Sequence, residues 1–465
     1  MSWTVSWHRA LTLLERRELL SHRLQDQQLS SEEAEAASVT ERLWREVPAL
    51  NDESTFHALL ACYGLGLSEF QKLIGLSPAR FVKLLAHPPE WLTATHPAPT
   101  PRSNGPVPDP RIQELLAPLW PIISEGEQRM QATLRAYRAS PMLHHEAVFA
   151  EFRRAVYEAL LEIVLKPMVV EMHIASRSGA LKANDSGSRF EEFVGQFVHP
   201  RAQSCFLNRY PVVLRLAATQ VTQTLATTVE LLARVHKDRQ ILDEVFGEGA
   251  TLGPLDGFQL GLGDPHCRGR TVAELRFAHG ARIIYKPRDL TVDAQFQELL
   301  ACVSRGLDQL SFRYPAILQR TSYGYMAFVE PTPCASPEEL CRFYYRHGVQ
   351  LALLYVLGGS DVHYENVIAS GEYPVLVDLE TMFTPDWRSI QLGAAEALAD
   401  VYLRESVLGT GLLPDIVGLD LELAPVDVSG LIGGSKSEVA ATRVPVWQQV
   451  RSRNDITYSF DRRMV

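Results

Sequence analysis

The chain has 465 residues, 55 of them acidic and 45 basic, for a formal charge of −10, and 46% are apolar against 22% charged. At roughly 150 residues per domain this suggests about three modules or two large ones with a sizeable core, and it excludes wholesale disorder. The acidic balance argues against a general nucleic-acid binder, and the longest nearly apolar stretch, Val349–Gly359, falls far short of the roughly 20 residues that span a bilayer. Met1–Leu20, interrupted by Trp3, His8, Glu15 and Arg16, lacks the apolar segment of a signal peptide, so a soluble cytoplasmic protein is expected. Cys62, Cys205, Cys267, Cys302, Cys334 and Cys341 form no CxxC pair and no zinc spacing, and read as buried or incidental thiols.

Residues 1–87 read as a helical N-terminal region. Leu11, Leu14, Leu19 and Leu20 recur near helical spacing, and Ser30, Ser31 and Glu33 form a start signal for a second helix. Eight prolines fall between Pro88 and Pro110, and because proline fixes φ and lacks a backbone donor, residues 88–110 are predicted to form an extended connector. From 111 to 250 the pattern is helical again, with one stripe at Leu115, Leu116, Leu119 and Ile122 and another at Val213, Leu214, Leu216, Val221 and Leu225. Gly247 and Gly249 stop the long segment Val221–Val245.

After Gly247 the character changes. Thr271–Phe277 and Arg282–Lys286 read as two strands around the turn His279-Gly280. Helices are predicted over Val292–Leu300 and Pro337–Leu357, and Asn366–Ser370, the turn Gly371–Pro374 and Val375–Asp378 make a short hairpin. Hairpin, helix, helix, hairpin is an α+β order, and residues 251–465 carry the chemistry.

That chemistry begins with Asp361-Val-His-Tyr-Glu-Asn366, which follows an apolar helix and the turn Gly358-Gly359-Ser360. An Asp and an Asn at this spacing before a hairpin have the arrangement of a kinase catalytic loop, where the Asp orients the attacking hydroxyl and the Asn binds Mg²⁺. The hairpin delivers Asp378 as a second metal-binding carboxylate, with Glu380 as a further oxygen group, a set that suits Mg²⁺ together with ATP phosphates. Lys286, ending its strand, is placed to reach those phosphates as a point charge. Glycines at 261, 263 and 269 would let backbone approach phosphate closely. Each residue alone has a bland reading, as a strand end, a turn or cap acid, or a structural histidine; the order of all of them is what points to phosphoryl transfer.

Gly263-Asp-Pro-His266, Ile284-Tyr-Lys-Pro-Arg288, Gly359-Ser-Asp-Val-His-Tyr-Glu-Asn366 and Val377-Asp-Leu-Glu-Thr381 together resemble the dehydratase domain of class II lanthipeptide synthetases (LanM). Tyr210–Arg215, Ser406–Leu408, Leu412–Pro414 and Asp427–Gly430 extend the likeness over roughly residues 110–465. The resemblance implies a lipid-kinase-like core, with an N-lobe hairpin and a helical C-lobe bearing the catalytic loop, beside a large helical N-terminal region. It implies ATP-dependent phosphorylation of Ser and Thr in a precursor peptide of leader plus core, then phosphate elimination to dehydroalanine and dehydrobutyrine. Lys286 falls on the nucleotide phosphates, Asp361 becomes the catalytic carboxylate and His363 its active-site partner. Asn366 and Asp378 become Mg²⁺ ligands with Glu380 in support, and Asp264 and His266 line the same site. Glu298 is the candidate helix partner of Lys286.

The family's cyclase domain, with its Cys/Cys/His zinc site, and the Arg and Thr of its elimination step have no counterparts here, so residues 251–465 read as a truncated catalytic part. Phosphorylation is then the better-supported half, and a separate cyclase or C-terminal portion is an expected partner. The rival readings are a kinase-only enzyme, a small-molecule phosphotransferase and a non-catalytic peptide-binding scaffold.

Overall fold

A computed structural model describes residues 7–24, 26–47, 50–85, 87–93, 114–136, 143–307, 310–383, 401–414, 416–417, 426–427, 429–431, 441–449 and 456–464. Most of the predicted connector, residues 94–110, lies outside them. The described residues divide into two units, one from within Met1–Ala139 and Phe149–Leu232, the other from within Ser140–Val148, Ala233–Gln449 and Ile456–Val465.

The first unit is helical. Helices Leu13–Leu20, Ser31–Arg45, Glu53–Cys62, Leu67–Gly75 and Pro78–Leu84 surround Phe56, Phe70 and Phe81, each with 0% exposure. The start signal at Ser30 is realised as a capping box: the Ser30 hydroxyl accepts from the Glu33 amide at 3.2 Å, and the Glu33 carboxylate accepts from the Ser30 amide at 3.0 Å. The same carboxylate accepts from the Ser77 amide at 2.9 Å and from Arg80 at 2.6 Å, tying together the starts of two helices. Burial opposes its charge, but these amides and Arg80 hold its pKa down at about 2. Farther along, Trp120–Ala136 packs against the long helix Pro211–Phe246 where Gly126 meets Val221, and an added Cβ at Gly126 would lie 2.4 Å from the valine. The predicted stripe on that long helix buries Val213, Leu214, Val221 and Leu225 but leaves Leu216 exposed.

The second unit carries an antiparallel five-stranded sheet in the order β1-β2-β3-β5-β4, with β1 at Leu255–Leu260, β2 at Ala273–Phe277, β3 at Arg282–Lys286, β4 at Ile317–Gln319 and β5 at Gly324–Ala327. This is a mixed α and β architecture, as expected. The β2–β3 hairpin was predicted; β1, β4 and β5 were not, because β4 and β5 are only three and four residues long and β5 takes its place in the sheet by pairing with β3, some forty residues back in the chain. The predicted helices extend over Thr291–Gly306 and Pro337–Val356. The second hairpin, β6 at Val367–Ser370 with β7 at Tyr373–Leu376, differs from expectation. Ser370 pairs with Tyr373, so only Gly371 and Glu372 turn, and Pro374 lies inside a strand. A proline without an N–H is tolerated on such a two-stranded ribbon, and its carbonyl takes a 3.0 Å hydrogen bond from Gln350.

Beneath this hairpin Phe296, Leu300, Phe312, Leu354, Val362, Leu379 and Leu412 form one core cluster. The cysteines are not buried: five are exposed and Cys334 is intermediate, all with free thiols. No helix among the described residues is long and apolar enough to cross a membrane.

Candidate active site

Lys286 is 4% exposed at the end of β3, opposite Gly324. A Cβ on Gly324 would lie 2.5 Å from Leu290, so bare backbone is what admits Leu290 behind the strand end. The Lys286 ammonium donates to the Val377 carbonyl and lies 3.8 Å from Asp293 and 3.9 Å from Asp378. Burial lowers its pKa, against the pull of the Asp378 and Asp293 charges.

Two further residues, Arg288 and Asp293, complete this cluster. Arg288 donates from Nη1 to Asp293 at 2.7 Å and from Nη2 to Asp378 at 2.7 Å, and its Nε lies 3.7 Å from Glu380. Burial acts to lower the Arg288 pKa, but the Asp293 hydrogen bond and the Asp293 and Asp378 charges prevail and raise it. Asp293 sits in the first turn of Thr291–Gly306 with 4% exposure, where a carboxylate also complements the positive helix end. Glu298, the candidate from sequence, is exposed on the same helix. Arg288 lay inside a motif already singled out, and Asp293 was visible as an acid opening a helix; nothing local distinguishes a buried acid there from an ordinary cap.

Asp361 adopts φ 62°, a left-handed conformation that is strained for a residue with a side chain. The fold holds it on both sides. The Val362 amide donates to Thr410 at 2.9 Å, the Asn366 side-chain nitrogen donates to the Asp361 carbonyl at 2.8 Å, and the Val362 side chain is 2% exposed in the core cluster. Gly411 and Gly430 allow close approach here: a Cβ on Gly430 would lie 2.7 Å from the Val362 carbonyl. Leu379 repeats the device between Asp378 and Glu380, again buried at 3% exposure. In both segments an apolar residue anchored in the core separates two polar ones. The segments are linked by a 3.0 Å bond from the Val377 amide to the Asn366 carbonyl and by the Thr381 hydroxyl donating to the Ser360 carbonyl.

His363 caps the 3₁₀ turn Tyr364–Asn366, its Nδ1 accepting from the Glu365 amide at 3.4 Å. A neutral ring so engaged carries its proton on Nε2. Asp264 and His266 are exposed on the β1–β2 connection, where the His266 and Arg270 backbones exchange bonds of 2.9 and 2.8 Å. Among the described residues no hydrogen bond or ion pair joins either side chain to the Lys286 cluster.

The donors suit a hard cation. Asn366 spends its nitrogen on a carbonyl, which orients Oδ1 as an oxygen ligand, and Asp378 adds a carboxylate one residue beyond the Asn366 backbone partner. Among the described residues no three His, Cys, Asp or Glu side chains gather as a metal site, so a Mg²⁺ here would draw its remaining ligands from phosphates and water. A separate cleft of about 660 Å³, lined in part by Phe246, Leu252, His279, Arg282 and Phe328, includes none of these residues.

Residues 210–460 match the family described as "Domain of unknown function (DUF4135)". The lacticin 481/lactococcin biosynthesis protein LcnDR2 of Lactococcus lactis subsp. lactis is 26% identical over 293 residues, which are 60% of this chain and 31% of that protein. The chain thus spans about a third of the length of the curated relative it matches.

Proposed function

The chain belongs to the DUF4135 family, and from that premise, with its similarity to a lacticin 481/lactococcin biosynthesis protein and the likeness of its motifs to class II lanthipeptide synthetases, we propose that it modifies a lanthipeptide precursor, phosphorylating Ser and Thr with ATP and then expelling the phosphate. The observation that carries this reading is the meeting of Lys286 and Asp378 in one carboxylate cluster, tied through Val377 and Asn366 to the Asp361 loop.

Lys286, immobilised by Val377, offers a fixed positive charge to nucleotide phosphates. Asp361 orients the peptide hydroxyl. As its oxygen bonds to the γ-phosphorus, the bond from that phosphorus to the β,γ-bridging oxygen breaks, ADP leaves, and the hydroxyl proton passes to the Asp361 carboxylate. Mg²⁺, when held by Asn366 and Asp378, would neutralise phosphate charge. In the second step a base takes the peptide α-proton, the Cα=Cβ bond forms, and the Cβ–O bond breaks to release phosphate. With its proton on Nε2, His363 suits hydrogen bonding to a phosphate oxygen, which leaves His266 as the candidate base.

The test is the intact mass of the precursor peptide encoded beside this chain's gene after incubation with the chain, ATP and MgCl₂. Phosphate gain or water loss is expected, and Asp361→Asn should abolish both. An unchanged peptide, or full modification by the Asp361→Asn variant, would overturn the reading.

A further inference from the structure

Arg288 occupies an unusual position for a residue beside a nucleotide site. Its guanidinium touches all three acids of the cluster: Asp293 and Asp378 at 2.7 Å and Glu380 at 3.7 Å. The Asp378 oxygen it holds, Oδ1, is also the one nearest Lys286, at 3.9 Å. Lys286 is 4% exposed and committed to the Val377 carbonyl, whereas the Arg288 side chain is 22% exposed and so has a path outward.

We propose that Arg288 is a placeholder cation, which holds the Asp378 carboxylate until a nucleotide-bound divalent ion takes that oxygen, then pivots on Asp293 to turn its freed edge to the phosphates. The proposal rests on the nucleotide-site reading above and adds a rule for that site: the ion enters with the nucleotide, not ahead of it.

The reason is electrostatic. An ion bound to Asp378 at about 2.1 Å would lie within roughly 5 Å of a guanidinium still bonded to the same oxygen, and the two would repel. Two cations, Lys286 and Arg288, face three carboxylates, Asp293, Asp378 and Glu380. Without Arg288 a single ammonium faces all three, and the excess negative charge attracts a divalent ion directly. Phosphates reverse the balance, because they give the displaced guanidinium a better partner. Asp293 supplies the anchor: it is buried, fixed in the first turn of its helix, and accepts from Nη1 at 2.7 Å and from Nη2 at 3.2 Å, so it can keep the guanidinium in place while the second Nη2 proton leaves Asp378.

Mn²⁺, read by electron paramagnetic resonance, serves as the probe in the full chain, with and without a non-hydrolysable ATP analogue. Without nucleotide, Arg288→Gln should bind Mn²⁺ at least about 10-fold more tightly than the parent, while its affinity for the Mn²⁺–analogue complex falls. Damage to the fold lowers affinity and cannot raise it. Arg288→Lys keeps a cation against Asp293 but cannot fork across both acids, so it frees Asp378 while retaining the charge and should show a smaller gain of the same sign even where Arg288→Gln fails to fold. Asp378→Asn should remove the gain from either variant. Unchanged nucleotide-free affinity in both variants, with analogue-dependent Mn²⁺ binding intact in the parent, overturns the placeholder role and leaves the nucleotide site standing. No Mn²⁺ binding by the parent, with or without analogue, overturns both.

Discussion

His347 lies on the helix Pro337–Val356, whose Leu354 packs against Val362 beneath the Asp361 loop. It is 2% exposed, neither ring nitrogen has a hydrogen-bond partner among the described residues, and the Phe343 ring stands edge-on at 4.7 Å. Burial alone pushes its pKa down to about 4 from 6.5. In the folded chain the ring therefore stays neutral over a range in which the unfolded chain takes up a proton. Because the unfolded state binds more protons between pH 6.5 and 4, stability falls with pH across that window and is flat above and below it. A displacement of this size corresponds to about 3 kcal/mol in full, of which about 2 kcal/mol develops between pH 7.5 and pH 5. His347→Leu removes both the titration and two buried nitrogens without partners, so the variant should match or exceed the parent at pH 7.5 and gain about 2 kcal/mol on it by pH 5. Amide hydrogen exchange of peptides from this helix, compared at matched pH, reads the difference directly because intrinsic exchange rates nearly cancel. A difference that stays constant from pH 7.5 to pH 5 would refute the reasoning.

Two further outcomes follow from the site. Lys286→Met keeps the bulk and removes the charge, and Arg288 still partners both carboxylates, so the chain should fold while peptide phosphorylation falls by about 100-fold or more, measured by transfer of labelled γ-phosphate. Gly430→Ala drives a Cβ to 2.7 Å from the Val362 carbonyl and 2.8 Å from Leu412, and should destabilise the second unit by about 1–3 kcal/mol, with loss of activity through the displaced Asp361 loop. Urea unfolding of the variant beside the parent tests the first effect, and the peptide mass assay the second.

The pairing of each acid depends on distance in space. Asp293 and Glu298 lie on one helix, both acidic and only five positions apart, yet only Asp293 is buried against Lys286 and Arg288. Helical periodicity tells that they point in different directions, but not which direction faces β3. Likewise Arg288, two residues beyond Lys286 and within the same motif, acquires a role only once Asp378 has been brought to 2.7 Å from it.

Local sequence determined what short-range physics decides. Ser30 and Glu33 mark a helix start because both hydrogen bonds of the capping box close within three residues. The strand ending at Lys286 and the turn at Gly280, with φ 92°, follow from alternation and from glycine's freedom in the left-handed region. The spacing of Asp361 and Asn366 also survives into three dimensions, because five residues are few enough for the amide to reach the Asp361 carbonyl. Tertiary structure alone decided the rest: the strain at Asp361, the anchoring of Val362 and Leu379, and the Lys286–Arg288–Asp293–Asp378 cluster. Each of these needs segments far apart in the chain to pack together, and the energy that selects them resides in a shared core and a shared set of charges, which no single stretch of sequence contains.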